Sequence, residues 1–251
     1  MIDLDYRAFP SWSQFLAALR EALLHPGAAR LRPLEADDSN VLLIRLSQGL
    51  GLPIPDRADG SQNSLVENTF ITRVENRPTP IRDGLGYTIL SSTAAEFPSH
   101  TDQYLNPHPA DVVLFQCVKH DPQGGDTLLI YLADILPQLS MINLAILSSP
   151  TFPTHYGRVA ILSQTPAGQW RIRYNRVEIE RAGDSQGAPL NVDQKVALNA
   201  LDRAIQTAQR QFPLLENECL VVNNQTALHG RTAFMGDSGR LLKRVRLHFQ
   251  P

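Results

Sequence analysis

The chain has 251 residues, enough for one large core or two small ones. Acidic and basic residues nearly balance, and a formal net charge of -2 argues against nucleic acid or an anionic membrane as the main partner. No apolar run reaches the length of a membrane span, and Met1 to Tyr6, with Asp3 and Asp5, does not read as a secretory leader.

Ser11 to Leu24 reads as a helix. Ser11 and Gln14 form a capping box, Leu16, Leu19 and Leu23 share a face, and Pro26-Gly27 stops it. Ala29 to Leu34 suits a short strand. Asp38 to Leu50 suits a second helix, with Leu42, Leu46 and Leu50 at four-residue steps and Gly51 after it. Pro53 to Asn63 is rich in turn formers and reads as a loop. Asn68 to Val74 alternates like a strand, Arg77 to Gly86 is a second loop, and Tyr87 to Ser92 suits another strand. Asp111 to Val118 is a β run rich in branched and aromatic residues. Asp121 to Gly125 turns it back into Asp126 to Tyr131.

Leu132 to Leu147 is mostly helical, with a break near Pro137. Arg158 to Gln164 and Gln169 to Tyr174 suit a hairpin around Pro166-Ala167-Gly168. Ala182 to Pro189 reads as a flexible loop, and Asn191 to Phe212 as the longest helix. Glu218 to Val222, Thr226 to Phe234 and Arg240 to Phe249 close the chain as strands. Cys117 and Cys219 are the only cysteines. Both lie in apolar runs, which predicts buried thiols in a reducing, cytoplasmic compartment. Many short strands with helices at the start and in one insertion point to a mainly β fold, a sandwich or jelly roll with helical support, as a single domain over residues 1–251.

Chemistry concentrates in Ser99-His100-Thr101-Asp102. On an extended strand, residues two apart share a face, so His100 and Asp102 project together. A second histidine, His229, follows in the segment Asn223 to Arg231. Two histidines and one carboxylate with open positions form a non-haem Fe(II) oxygenase site. A short His-x-Asp is usually an incidental polar pair, so the rest of the chain must support it. His25, His120, His155 and His248 receive no role, and His108, in a proline-flanked loop, is a lesser candidate for substrate contact. The last strand alternates. Leu241, Lys243, Val245 and Leu247 suit packing, whereas Arg240, Leu242, Arg244, Arg246 and His248 share the other face. That cationic face is either solvated or lines a barrel, where it needs an anion in bidentate contact.

His100-Thr101-Asp102, Gly124-Gly125-Asp126-Thr127, His229-Gly230-Arg231 and Arg240-Leu241-Leu242-Lys243-Arg244 together resemble the taurine dioxygenase and clavaminate synthase branch of the Fe(II)/2-oxoglutarate oxygenases, the TauD/TfdA family. His100 and His229 lie 129 positions apart and His229 and Arg240 lie 11 apart, as in that branch. The resemblance covers the chain from about Tyr87 to its end. It implies a double-stranded β-helix in which His100, Asp102 and His229 ligate Fe(II). Arg240, helped by Thr127, would hold the distal carboxylate of the cosubstrate 2-oxoglutarate, with O2 as oxidant. Arg244 would hold an acidic group of a small-molecule substrate, and Glu96, four residues before His100, would receive an amine. Arg231 is more readily structural. The implied reaction is hydroxylation of a small carboxylate-bearing metabolite, such as an amino acid or a derivative, giving succinate and carbon dioxide. Desaturation or ring closure uses the same ligands. The alternatives are a non-catalytic jelly-roll binding protein and a hydrolytic metalloenzyme, which would not need Arg240.

Overall fold

The computed structural model describes residues 1–55, 66–83 and 86–250. Its helices are α1 (Trp12–Leu24), α2 (Val41–Leu50), α3 (Leu132–Ile135), α4 (Met141–Ser148), α5 (Arg176–Ser185) and α6 (Val192–Ala208). The strands up to the insertion are β1 (Ile2–Leu4), β2 (Ala28–Leu31), β3 (Gly51–Pro53), β4 (Val66–Asn68), β5 (Ile71–Glu75), β6 (Phe97–His100), β7 (Val112–Lys119) and β8 (Thr127–Tyr131). Those that follow are β9 (Phe152–Thr154), β10 (Gly157–Val159), β11 (Leu162–Gln164), β12 (Trp170–Ile172), β13 (Arg210–Phe212), β14 (Cys219–Asn223), β15 (Ala227–Arg231) and β16 (Leu241–Phe249). Among the described residues the larger sheet runs β1-β2-β14-β7-β16-β5-β4, with β3 also on β16, and the smaller runs β13-β8-β15-β6.

Residue parity decides which side chains meet. Val113, Phe115 and Cys117 of β7, Leu220 and Val222 of β14, and Leu242 of β16 face inward, where they meet Leu129, Tyr131 and Ala227 of the smaller sheet. The alternate residues, Val112, Leu114, Cys219, Val221, Val245 and Leu247, face outward and are covered by Phe15, Leu19 and Leu23 of α1 and Leu43, Leu46 and Leu50 of α2. On the other side Leu128, Ile130 and Leu228 are covered by the insertion, chiefly Leu198, Leu201 and Ile205 of α6. Sheets buried on both faces need apolar residues at nearly every position, which is why these strands read as unbroken runs. The architecture is the expected one, a double-stranded β-helix with helices outside both sheets.

Several boundaries differ from expectation. Helix α2 begins at Val41 instead of Asp38, because Asn40 takes a left-handed conformation (φ 57°) and its side chain accepts from Lys243 Nζ at 2.6 Å. The run 68–74 is broken: β4 ends at Asn68, and β5 starts at Ile71 and returns along it. Tyr87 to Ser92 forms no ladder strand. It ends in a 3-10 turn at Leu90–Ser92, where Ser92 Oγ donates to the Ile89 carbonyl and accepts from the Ile81 amide, so local bonds replace a strand partner. The expected loop from Ala182 begins inside α5, whose Ile179 and Ala182 are buried in or beside the insertion core. The helix from Asn191 stops at Ala208, and Arg210–Phe212 becomes a strand on β8. Arg158 belongs to a separate hairpin, β9–β10, while β11–β12 form the expected one. The loop expected over Pro53 to Asn63 lies largely outside the described residues, as do residues 84 and 85 of the second loop.

Candidate metal centre

Strands β6 and β15 pair antiparallel with His100 and His229 directly opposite one another. The register slips between His229 and Arg231. Gly230 sits at that bulge, where a Cβ would lie 2.8 Å from the Phe97 carbonyl oxygen, so the two strands approach only because the side chain is absent. Strand β6 ends at His100, and Asp102 lies in the turn beyond it, not on the same strand as expected. The turn is held by Asn224. Its Oδ1 accepts from the Asp102 amide at 2.7 Å, and its Nδ2 donates to the carbonyls of Asp102 and Ala110 at 3.1 and 2.8 Å.

The three side chains converge. Asp102 Oδ1 lies 3.3 Å from His100 Nε2 and 3.2 Å from His229 Nε2, and all three residues are buried. Their ligand atoms lie within 4.8 Å of one another. An ion at about 2.1 Å from each of three donors on one octahedral face would set them about 3.0 Å apart, so the set fits a divalent metal with its opposite face open. His100 Nδ1 is 2.8 Å from the Pro98 carbonyl and donates to it, which leaves Nε2 with its lone pair toward the ion. Phe97 stacks on His100 at 4.0 Å between centroids, and Phe115 lies 4.9 Å from His229.

Charge is arranged to keep this set deprotonated. Burial pushes the Asp102 carboxyl up, but the guanidinium groups of Arg246 (2.5 Å to Oδ2) and Arg244 (3.3 Å) hold it well below the usual carboxylate range. Burial lowers His229 to about 4, so its imidazole is neutral at physiological pH.

The same cavity holds His100, Asp102, Thr127, His229, Arg231, Arg240 and Arg244. Arg240 is 4 % exposed, donates from Nη2 to the Gly125 carbonyl at 3.0 Å, and has no hydrogen-bond partner for its buried Nη1. Arg231 faces Phe234 at 4.6 Å and Arg240 faces it at 5.2 Å. Arg231 Nη2 donates to the carbonyls of Thr93 (2.9 Å) and Ala95, while its Nε and Nη1 are buried without partners. Unpaired guanidinium N–H groups in a closed space call for an anion. Glu96 is not brought to this cavity; it is exposed. Asn224, Phe97 and Phe234 were not singled out from sequence, and Arg246 was named only as part of the cationic face of the last strand. Arg246 had a signal, since it shares parity with Arg240 and Arg244. No spacing rule points to the Asn224 clamp.

A facial donor set inside a double-stranded β-helix, with a buried arginine at its far end, defines the class of Fe(II)- and 2-oxoglutarate-dependent oxygenases. The sequence agrees: the model of the taurine catabolism dioxygenase TauD, TfdA family matches residues 2–141 and 146–246, and the chain belongs to that family. Among solved structures it is similar to asparagine oxygenase in complex with Fe(II), 3-hydroxyasparagine and succinate. The TM-score is 0.72 at 18% identity, covering 97% of this chain and 81% of that one. It is also similar to the non-haem iron oxygenase OrfP with Fe and alpha-ketoglutaric acid (TM-score 0.67, 17% identity, 96% and 81% covered). A further OrfP complex, with Fe, succinate and (3R,4R)-dihydroxy-L-Arg, aligns at TM-score 0.70 and 17% identity over 93% and 80% of the two chains. No curated protein sequence matches the chain.

Proposed function

We propose that this protein hydroxylates a small carboxylate-bearing metabolite, an amino acid or a derivative, using Fe(II), 2-oxoglutarate and O2 and releasing succinate and carbon dioxide. The observation that carries the reading is the coexistence, in one buried cavity, of the His100, Asp102 and His229 donors and the unpartnered Nη1 of Arg240. The amino acid products bound in the similar solved structures support the substrate class.

Iron bound there would supply the oxidation of an unreactive C–H bond at the expense of 2-oxoglutarate and O2. The chain's own residues do the rest. Arg246 keeps the outer oxygen of Asp102 engaged, so that Oδ1 alone faces the histidines. Arg240 and Thr127 receive the distal carboxylate of the cosubstrate, the guanidinium by a charge-assisted bond. Phe97 and Phe115 wall the metal ligands and exclude water. Arg244 lies beside Asp102 on the wall of the same cavity, and receives the acidic group of the substrate. Two buried free thiols, Cys117 and Cys219, support a reducing, cytoplasmic setting. Among the described residues no helix is long and apolar enough to cross a membrane. Residues 1–251 act as a single oxygenase domain, because β1 and β16 share one sheet.

The test is release of succinate from 2-oxoglutarate with Fe(II) under air, without a prime substrate. Slow, iron-dependent succinate formation that His229→Ala abolishes is expected. Binding of 2-oxoglutarate with no succinate under any substrate would instead make the molecule a binding protein.

A further inference from the structure

A second, larger cavity of about 760 Å³ adjoins the metal site, and Phe97, whose ring backs His100, lines both cavities. Its walls come from the segment around Tyr87 to Leu90 and from α5 of the insertion. Glu178 opens into it from the first turn of α5. A glutamate at that position commonly closes a capping box by reaching back to the N-cap amide. Helix α6 shows that arrangement, with Gln194 accepting from the Asn191 amide at 2.9 Å. In α5 only the first half exists: Asn175 Oδ1 accepts from the Glu178 amide, and the Glu178 side chain does not return the bond. Its Oε2 is buried with no hydrogen-bond partner.

We infer that Glu178 is the receptor for a cationic group of the prime substrate, an ammonium or guanidinium, held in the large cavity while the substrate's oxidised carbon faces the metal. This rests on the proposed function and deepens it. The charged neighbours are few. Arg181 lines the same cavity, but its guanidinium lies over the Tyr87 ring at 4.4 Å. Asp83 accepts from the Tyr87 amide, and His155 is the remaining titratable group on the wall. Burial raises the carboxyl most and Asp102 raises it further, while His100, Arg246 and a bond from the Leu105 backbone amide oppose them. A carboxylate so placed is costly to keep charged until a cation arrives. Arg244 lines the metal cavity and Phe97 lines both, so the pair of sites suits a basic amino acid. Glu178 then takes the part that sequence reading gave to Glu96.

Two readouts separate this inference from the reading it rests on. Succinate release without prime substrate tests the oxygenase reading alone. Calorimetric titration of the Fe(II)- and 2-oxoglutarate-loaded protein without O2 tests the subsite, with L-lysine, N-α-acetyl-L-lysine, L-norleucine and L-arginine as probes. We expect L-lysine or L-arginine to bind the native protein, and Glu178→Gln to weaken that binding at least tenfold while L-norleucine is unaffected. N-α-acetyl-L-lysine should lose affinity on Glu178→Gln in the same proportion as L-lysine, because the bound cation is the side-chain group; binding of it that does not depend on Glu178 would overturn the inference. Equal affinity of native and Glu178→Gln proteins for the basic amino acids, or L-norleucine binding as tightly as L-lysine, would overturn the inference. Glu178→Asp, which keeps the charge, should retain more affinity than Glu178→Gln.

Discussion

At the scale of single residues, Arg240 is the clearest case of a group whose surroundings demand a ligand. Truncating one partner of a desolvated charge pair costs about 2–5 kcal/mol. Arg240→Ala should therefore raise the KM for 2-oxoglutarate by more than tenfold while Fe(II) affinity stays within a few-fold; an unchanged titration would move the anchor to Arg231 or Arg244. His229 predicts a pH effect on the metal-free protein. The unfolded chain takes up this proton near pH 6.5, and the folded chain only near 4. Its contribution is therefore complete above pH 6.5 and is lost as pH falls toward 4, by on the order of 3 kcal/mol. Urea unfolding at pH 7.5 and 4.5 should show that loss in the native protein and a smaller one in His229→Asn. The metal ligands were legible in the sequence because a facial set constrains residue type and order. Glu178, Asn224 and Arg246 were much less so, because their partners are set by tertiary contact. Asn224 meets Asp102 across 122 positions, which no local pattern encodes.

At the scale of elements, the turn between β7 and β8 is built around Arg240. Gly125 has φ +72°, and a Cβ there would lie 2.5 Å from Arg240 Nε and 2.7 Å from its Cδ. Gly125→Ala is thus strained twice, by its backbone and by the side chain it meets. Its expected effect is a raised KM for 2-oxoglutarate with metal binding retained; parallel loss of both would show that the turn supports the whole sheet instead. Strand alternation explains why the central strands were readable. Both faces of β7 and β14 are covered, so their apolar runs had one interpretation. The misread elements are those where a local bond outweighed propensity. Ser92 satisfies the Ile81 amide at the end of the expected strand 87–92. Gly183, in the stretch that reads as a loop, lies in the last turn of α5, where a Cβ would come within 3.2 Å of the Ala188 carbonyl oxygen and 3.5 Å of Pro153.

At the scale of the molecule, the helices do two jobs on opposite sides. Helices α1 and α2 cover the larger sheet far from the cavity, whereas the insertion covers the smaller sheet and also brings Glu178 to the substrate side. The direct pairing of His100 with His229 has a mechanical consequence. The two histidines are 129 positions apart and the chain between them contains the whole insertion, so a metal held by both strands acts as a clasp on a large loop. Asp184 to Gly187 is an exposed tip within that loop, suited to a single proteolytic nick. The nicked protein should stay together as two fragments while loaded with Fe(II) or Co(II). Chelation should lower its melting temperature by more than it lowers that of the intact chain, because the peptide link between the halves is gone and the clasp is the remaining tether beside the sheet itself. Equal losses in the nicked and intact forms would show that the strand pairing alone holds the halves together.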